Sequence, residues 1–338
     1  MDFVALPSPE FPAGTTKLFE TPHANVYECK RALHSLVIAI PASGLCTTVP
    51  AEHRALGSPV AALGSAVAYV WGVANTRITV LQCKDVPLPV QTMPDIICGR
   101  NVDALLVSHT GDAVVYALSG RPTVHVRRGA THVRIEPPYD VENLLVQALC
   151  ASKDCRIVCA SWFGQECVHV YDTVQNTTVH LMPMSASAMA VADDEQSFLL
   201  ANEDGLYMPN LVEGQGARHL WLDMTPHIKG VACAGHLAAA SFDNHVRVYD
   251  MLSGERLAEI PVQRFVLMEH LHMRDFRAGG ADGEVSVRTL HANDEIYTER
   301  WTLYRKARHQ MMAFVTHALL ERRDGDRAIR IRVLLMLL

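Results

Sequence analysis

The chain has 338 residues, 49% hydrophobic and 20% charged, with 30 lysines and arginines against 36 aspartates and glutamates for a formal net charge of −6. That balance excludes wholesale disorder and coiled coil, and a mildly acidic chain is a poor match for a dedicated nucleic-acid binder. The length suffices for a full core without staples, so the nine cysteines, set in apolar runs such as RIVCA and GVACA, read as reduced, buried thiols.

The opening MDFVALPSPEFPAG has an acid at position 2 and lacks the basic and apolar regions of a secretory signal. We expect residues 1–20 to be an N-terminal extension and residues 21–338 one domain. The stretch HANVYECKRALHSLVIAI follows with spare strand-like runs. From there one plan recurs: a small or β-branched apolar run, a polar turn, then an alternating strand. The segments are AYVWGVANTRITVL, ALLVSHTGDAVVYAL, RIVCASWFGQECVHVYD, SFLLANEDGLYMPN, LAAASFDNHVRVYD, DFRAGGADGEVSVRTL and HALLERRDGDRAIRIRVL. Their turns fall at Asn75, Gly111, Gly164, Asp204, Asp243, Asp282 and Asp324, spaced 36, 53, 40, 39, 39 and 42 residues apart. The closing VLLMLL reads as a strand, and no stretch approaches the ~18–20 apolar residues of a membrane span. The expected location is the cytoplasm or nucleus.

Alternation such as Val246 and Val248 places every second side chain on one face, as in a half-buried strand. Turn residues that tolerate positive φ suit antiparallel hairpins, and strands at short regular spacing without a 3.6-residue period indicate an all-β fold. A unit of about 40 residues is the period of a propeller blade. The expected architecture is therefore a seven-bladed β-propeller, with an N-terminal strand closing the ring by completing the last blade. Eight blades is the competing count, with the extra one within residues 21–55. The 53-residue interval contains THVRIEPPYDVEN, whose paired prolines predict a loop insertion near residues 129–143.

LAAASFDNHVRVYDMLSGERLAEI resembles a WD-repeat blade: Ala239-Ala240-Ser241, turn Asp243, an alternating strand to Tyr249 and Asp250, then Ser253-Gly254. CASWFGQECVHVYDTVQNT repeats that plan, with Tyr171-Asp172 where the family has Trp-Asp. The resemblance implies a divergent WD-repeat-like propeller. No blade keeps Trp-Asp, and none has the family's upstream Gly-His at its usual distance. A second resemblance joins DIICGRNVDALLVSHTGDAVVYAL and SFLLANEDGLYMPN to repeats of the regulator-of-chromosome-condensation type, whose aromatic-Gly continuation is missing here.

The sequence holds no nucleophile elbow, phosphate-binding Gly loop or His-Glu-x-x-His motif. Cysteines 150, 155, 159 and 167 lack zinc-ribbon spacing, and His270 with His272 reads as a polar strand face. Neither metal nor cofactor is expected, and no enzymatic activity. Candidate partner-binding residues are Trp162 and Phe163, aromatics where a turn begins, and Tyr139 beside Pro137 and Pro138. The weight of the argument places Trp162 and Phe163 against the neighbouring blade rather than at a loop tip. Arg127 and Arg128, with Arg134, form one of three short basic clusters; the others are Arg305-Lys306 with Arg308 and Arg322-Arg323 with Arg327.

A rigid ring without reactive groups suggests a non-catalytic scaffold whose partners are other proteins of a larger assembly, without membrane insertion. The alternative is an auxiliary subunit of an RNA-modifying enzyme, such as the WD-repeat partner of a tRNA methyltransferase, reaching RNA through Arg127 and Arg128. A regulator-of-chromosome-condensation-like propeller is the second alternative.

Overall fold

A computed structural model describes residues 15–336, apart from residues 22, 30–34, 41–44, 50–58, 73–75, 84–90, 93, 140–143, 193, 196, 210–219, 263–266, 275–282, 291–295, 306–317 and 324–326; side chains are described chiefly between residues 59 and 262. The described residues form strands gathered into seven sheets. Sheet 1 holds β1 (Thr15–Glu20), β2 (Asn25–Cys29), β3 (Ser35–Ile40) and β4 (Leu45–Val49). Sheet 2 holds β5 (Val60–Leu63), β6 (Ala66–Trp71), β7 (Arg77–Gln82), β8 (Gln91–Thr92) and β9 (Ile96–Ile97). Sheet 3 holds β10 (Val102–Val107), β11 (Ala113–Leu118), β12 (Val124–Arg128) and β13 (Thr131–Ile135). Sheet 4 holds β14 (Val146–Ala151), β15 (Ile157–Trp162), β16 (Val168–Asp172) and β17 (Thr177–Met182). Sheet 5 holds β18 (Ala188–Val191), β19 (Phe198–Asn202), β20 (Gly205–Met208) and β21 (Leu220–Asp223). Sheet 6 holds β22 (Gly230–Ala234), β23 (Leu237–Ser241), β24 (His245–Asp250) and β25 (Arg256–Pro261). Sheet 7 holds β26 (Leu267–Arg274), β27 (Gly283–Leu290), β28 (Ile296–Arg305), β29 (Ala318–Arg323) and β30 (Arg327–Met336).

Sheets 1 and 3 to 6 are antiparallel meanders, each strand pairing with the next in sequence. Their first strands lie side by side in chain order, β1 beside β5, β5 beside β10, and on through β14, β18, β22 and β26. This radial arrangement explains the sequence pattern. The second strands of sheets 2 to 6 lie between two neighbouring sheets, so AVAYVW, AVVYAL, IVCASW, FLLAN and LAAAS are almost wholly buried. Outer strands face solvent on one side and alternate, as β13 and β25 do. The cores sit between sheets. Val115, Val124, Val126 and Ile135 of sheet 3 pack on Val158, Ala160 and Trp162 of sheet 4, and Leu199 and Leu206 of sheet 5 on Ala238, Ala240 and Tyr249 of sheet 6. Each such aliphatic or aromatic side chain contributes ~1.5–3 kcal/mol by burial.

Glycine permits two of the close approaches. Gly64 has φ +55, and a Cβ there would lie 2.7 Å from the His109 carbonyl oxygen of the next sheet. Ser65 N instead donates to that carbonyl at 2.9 Å, and His109 N to the Lys153 carbonyl at 2.8 Å, linking the first turns of sheets 2, 3 and 4. At Gly205, φ is +140 and a Cβ would overlap the Asp223 carbonyl at 2.1 Å.

Three expectations about strand allotment need correction. Gly164, Asp204 and Asp243 lie between the second and third strands of their sheets, whereas Gly111 lies between the first and second strands of sheet 3; Asn75 lies outside the described residues. The equivalent turn there is at Gly120, which evens the intervals to 45 and 44 residues. Within the insertion expected near 129–143, Thr131–Ile135 is β13, paired along its length with β12. Secondly, among the described residues no N-terminal strand completes the last repeat's sheet; β1 pairs with β2 and starts inside the expected extension. Residues 15–49 supply four strands of their own, and short connections let them pair locally. Thirdly, the last two repeats share sheet 7, in which β28 and β30 pair in parallel. Asp282 and Asp324 lie outside the described residues.

Candidate partner-binding surface

β15 ends in Trp162, and the turn to β16 begins with Phe163 and Gly164, whose φ of +77 reverses the chain. The alternation of the strand turns the two aromatics apart. Trp162 is fully buried in the core between sheets 3 and 4, and its Nε1 donates to the Pro122 carbonyl at 2.6 Å. Pro122 belongs to the β11–β12 turn, so the indole fastens neighbouring sheets together at this end. Trp162 is thus packed against the neighbouring sheet, beneath the surface on which Phe163 lies.

Phe163 is on the surface, 57% exposed. Its backbone N donates to the Leu145 carbonyl at 3.0 Å, and the buried Gln165 donates through Nε2 to the Tyr139 carbonyl at 2.9 Å. These two bonds hold the connection from sheet 3 to sheet 4 against the β15–β16 turn. Tyr139 is 59% exposed and Leu145 44%. Two candidates from distant sequence positions, Tyr139 and Phe163, therefore come together on one end of the molecule with Leu145. Nothing in the sequence singles out Leu145, since an apolar residue just before a strand usually enters the core.

Arg127 and Arg128 do not form one patch. As neighbours on β12 they project from opposite faces. Arg128 donates to Asp112 at 2.7 Å and to the Asp154 carbonyl at 2.6 Å, bridging to the first turn of sheet 4. Arg127 lies on the other face against the Tyr116 hydroxyl. The side chains of the other two basic clusters, and of His270 and His272, lie outside the described residues.

A cleft lies elsewhere, between the outer parts of sheets 5 and 6. It encloses about 530 Å³ and is lined by Leu222, Asp223, Met224, Thr225, Arg247, Tyr249 and Arg256. Arg247 donates to Asp223 and Thr225, both at 2.7 Å, and to Glu259 at 3.0 Å. Tyr249 donates its hydroxyl to Asp223 as well. Burial opposes ionisation of Asp223, but the bonds from Thr225, Tyr249 and Arg247 outweigh it and bring the carboxyl down to about 2. The same burial and the Asp223 charge push the Tyr249 phenol up. Every strong polar group is thus engaged within the protein, and the cluster is an inter-sheet tie. With 22–26 residues between partners, no local motif announced it.

The cysteine cluster is likewise held by packing. Burial pushes the Cys155 thiol up to about 12 and Cys159 well above its ordinary value, so both are protonated at neutral pH. Among the described residues no three His, Cys, Asp or Glu side chains are placed to hold a metal ion, and no helix is long and apolar enough to cross a membrane.

No protein-family model matches the chain, and no curated protein matches it. Among solved structures it is similar to the β-propeller domain of Cps50 (Swd1) from Myceliophteria thermophila, with a TM-score of 0.55 and 8% identity over 82% of this chain and 96% of that one. At that identity the likeness is one of fold. The chain is an all-β protein with a propeller fold.

Proposed function

We propose that this chain is a non-catalytic platform that binds other proteins within a larger assembly, through the surface of Phe163, Tyr139 and Leu145. The observation that carries the reading is an exposed aromatic pair on loops fixed by one backbone bond and one bond from the buried Gln165 side chain, beside the buried Trp162. Aromatic side chains that are already ordered bury ~150–250 Å² each on contact and lose little entropy in doing so. Truncating such an anchor typically costs ~2 kcal/mol or more of binding, about 30-fold in affinity.

The test is affinity capture of the full chain from its own cells, beside a Phe163→Ala/Tyr139→Ala double variant, with nuclease and high-salt washes. A defined set of proteins that survives both washes on the wild type and falls at least tenfold on the variant supports the reading. The same set retained on the variant, or partners lost to nuclease, overturns it.

A further inference from the structure

Sheet 3 presents two unlike halves to sheet 2. On its inner strands Leu105, Val107, Val114 and Tyr116 pack against Ala68, Val70, Ile78 and Val80. On its outer strands the same face is polar. The register pairs Tyr116 with His125, His125 with Arg134, and Arg127 with His132, so five side chains from β11, β12 and β13 share this face. Opposite them, the outer strands of sheet 2 are the two-residue β8 and β9. Arg134 is exposed and His125, His132 and Arg127 are half-buried, which makes the wedge accessible from the rim.

The three rings form a stack. Tyr116 and His125 lie 5.0 Å apart between centroids and 13° from parallel, and His125 and His132 lie 5.3 Å apart and 20° from parallel. His125 Nδ1 and His132 Nε2 are 3.1 Å apart and share one hydrogen bond, which requires at least one neutral ring. Among the described residues neither Arg127 nor Arg134 forms an ion pair, unlike Arg128, Arg156, Arg247 and Arg256. The Arg127 Nε is buried with no acceptor, a costly arrangement for a cation's donor. The nearest carboxylate on the sheet, Glu136, accepts from Thr123 at 2.8 Å. An anion between the arginines would supply the missing acceptor and counter-charge.

We propose that this wedge binds a phosphate-type oxyanion, held by Arg127 and Arg134 with the remaining N–H of the hydrogen-bonded His125–His132 pair donating beside them. A tetrahedral oxyanion offers acceptors in several directions, and guanidinium groups suit it through paired N–H donors. The site lies on the face of sheet 3 turned to sheet 2, whereas Trp162 packs on the face turned to sheet 4, and it is independent of the platform reading. Its charged and titratable neighbours are Arg127, Arg134 and Glu136 on sheet 3 and Cys98 from sheet 2.

The test is a titration of the full chain with inorganic phosphate at fixed ionic strength, followed by the imidazole resonances of His125 and His132. Acetate and O-phosphoserine form parallel arms. Saturable phosphate shifts at both rings, a rise in their titration midpoints and at least tenfold weaker binding in Arg134→Gln support the proposal. Arg134 is exposed, so that variant is expected to fold; Arg127→Gln is the second, checked by circular dichroism. Tighter binding of O-phosphoserine than of phosphate assigns the source to a phosphorylated side chain, and equal binding to free phosphate. Shifts that never saturate, binding unchanged in both variants, or acetate binding as tightly as phosphate would overturn it.

Discussion

Replacing Trp162 by phenylalanine tests whether the indole fastens sheets 3 and 4. The substitution keeps an aromatic ring in the core but removes the Nε1 donor to the Pro122 carbonyl. Leaving that carbonyl without its partner costs ~1–1.5 kcal/mol. The smaller ring leaves ~40 Å³ unfilled, which at ~24 cal/mol per Å³ adds ~1 kcal/mol. The expected loss is about 2–3 kcal/mol, and Trp162→Ala extends it to ~3–5 kcal/mol. Urea unfolding followed by far-ultraviolet circular dichroism measures it, with the midpoint falling and the slope unchanged because both variants bury the same strands. Phe163→Ala serves as the internal control, since an exposed ring contributes within ~0.5 kcal/mol to stability. A Trp162→Phe loss below ~0.5 kcal/mol, or an equal loss in Phe163→Ala, would refute the division of labour between the two aromatics.

Other outcomes follow from the same geometry. Asp223→Asn is expected to lose on the order of 2 kcal/mol at pH 7; because the folded carboxyl sits at about 2, below its unfolded value, the gap from wild type is full above pH ~4 and closes as pH falls toward 2 in acid unfolding curves. His125 behaves in the opposite sense: burial, with His132 and Arg134 beside it, brings the folded imidazole down to about 4, so the unfolded chain takes up the proton first. Stability is therefore expected to decline from pH ~6.5 toward 4, and His125→Gln to flatten that decline in thermal melts across the window. Gly205→Ala is expected to cost more than ~3 kcal/mol, because the added Cβ meets the Asp223 backbone, which cannot move as a side chain would; soluble yield and melting temperature report it.

The local pattern carried a good deal of this protein. Apolar second strands such as IVCASW, alternating outer strands and glycine- or aspartate-marked turns follow from covalent geometry and burial, so the all-β class was legible residue by residue. The face opposition within β12, Val124 and Val126 inward against His125 and Arg127 outward, was also implicit in the period of two.

What the tertiary structure decided is how those strands are shared out. A hairpin between first and second strands looks locally like one between second and third, so Gly111 was indistinguishable from Gly164 until the sheets were formed. The same holds at Trp162 and Phe163. Two adjacent aromatics at a turn are equivalent by composition, and only the neighbouring sheet, which offers one of them a cavity and the Pro122 carbonyl, sends the first inward and leaves the second in solvent. Chemistry along a chain specifies strands and turns through contacts a few residues long. The bonds between sheets join residues 22 to 44 positions apart, and that information exists only when they meet.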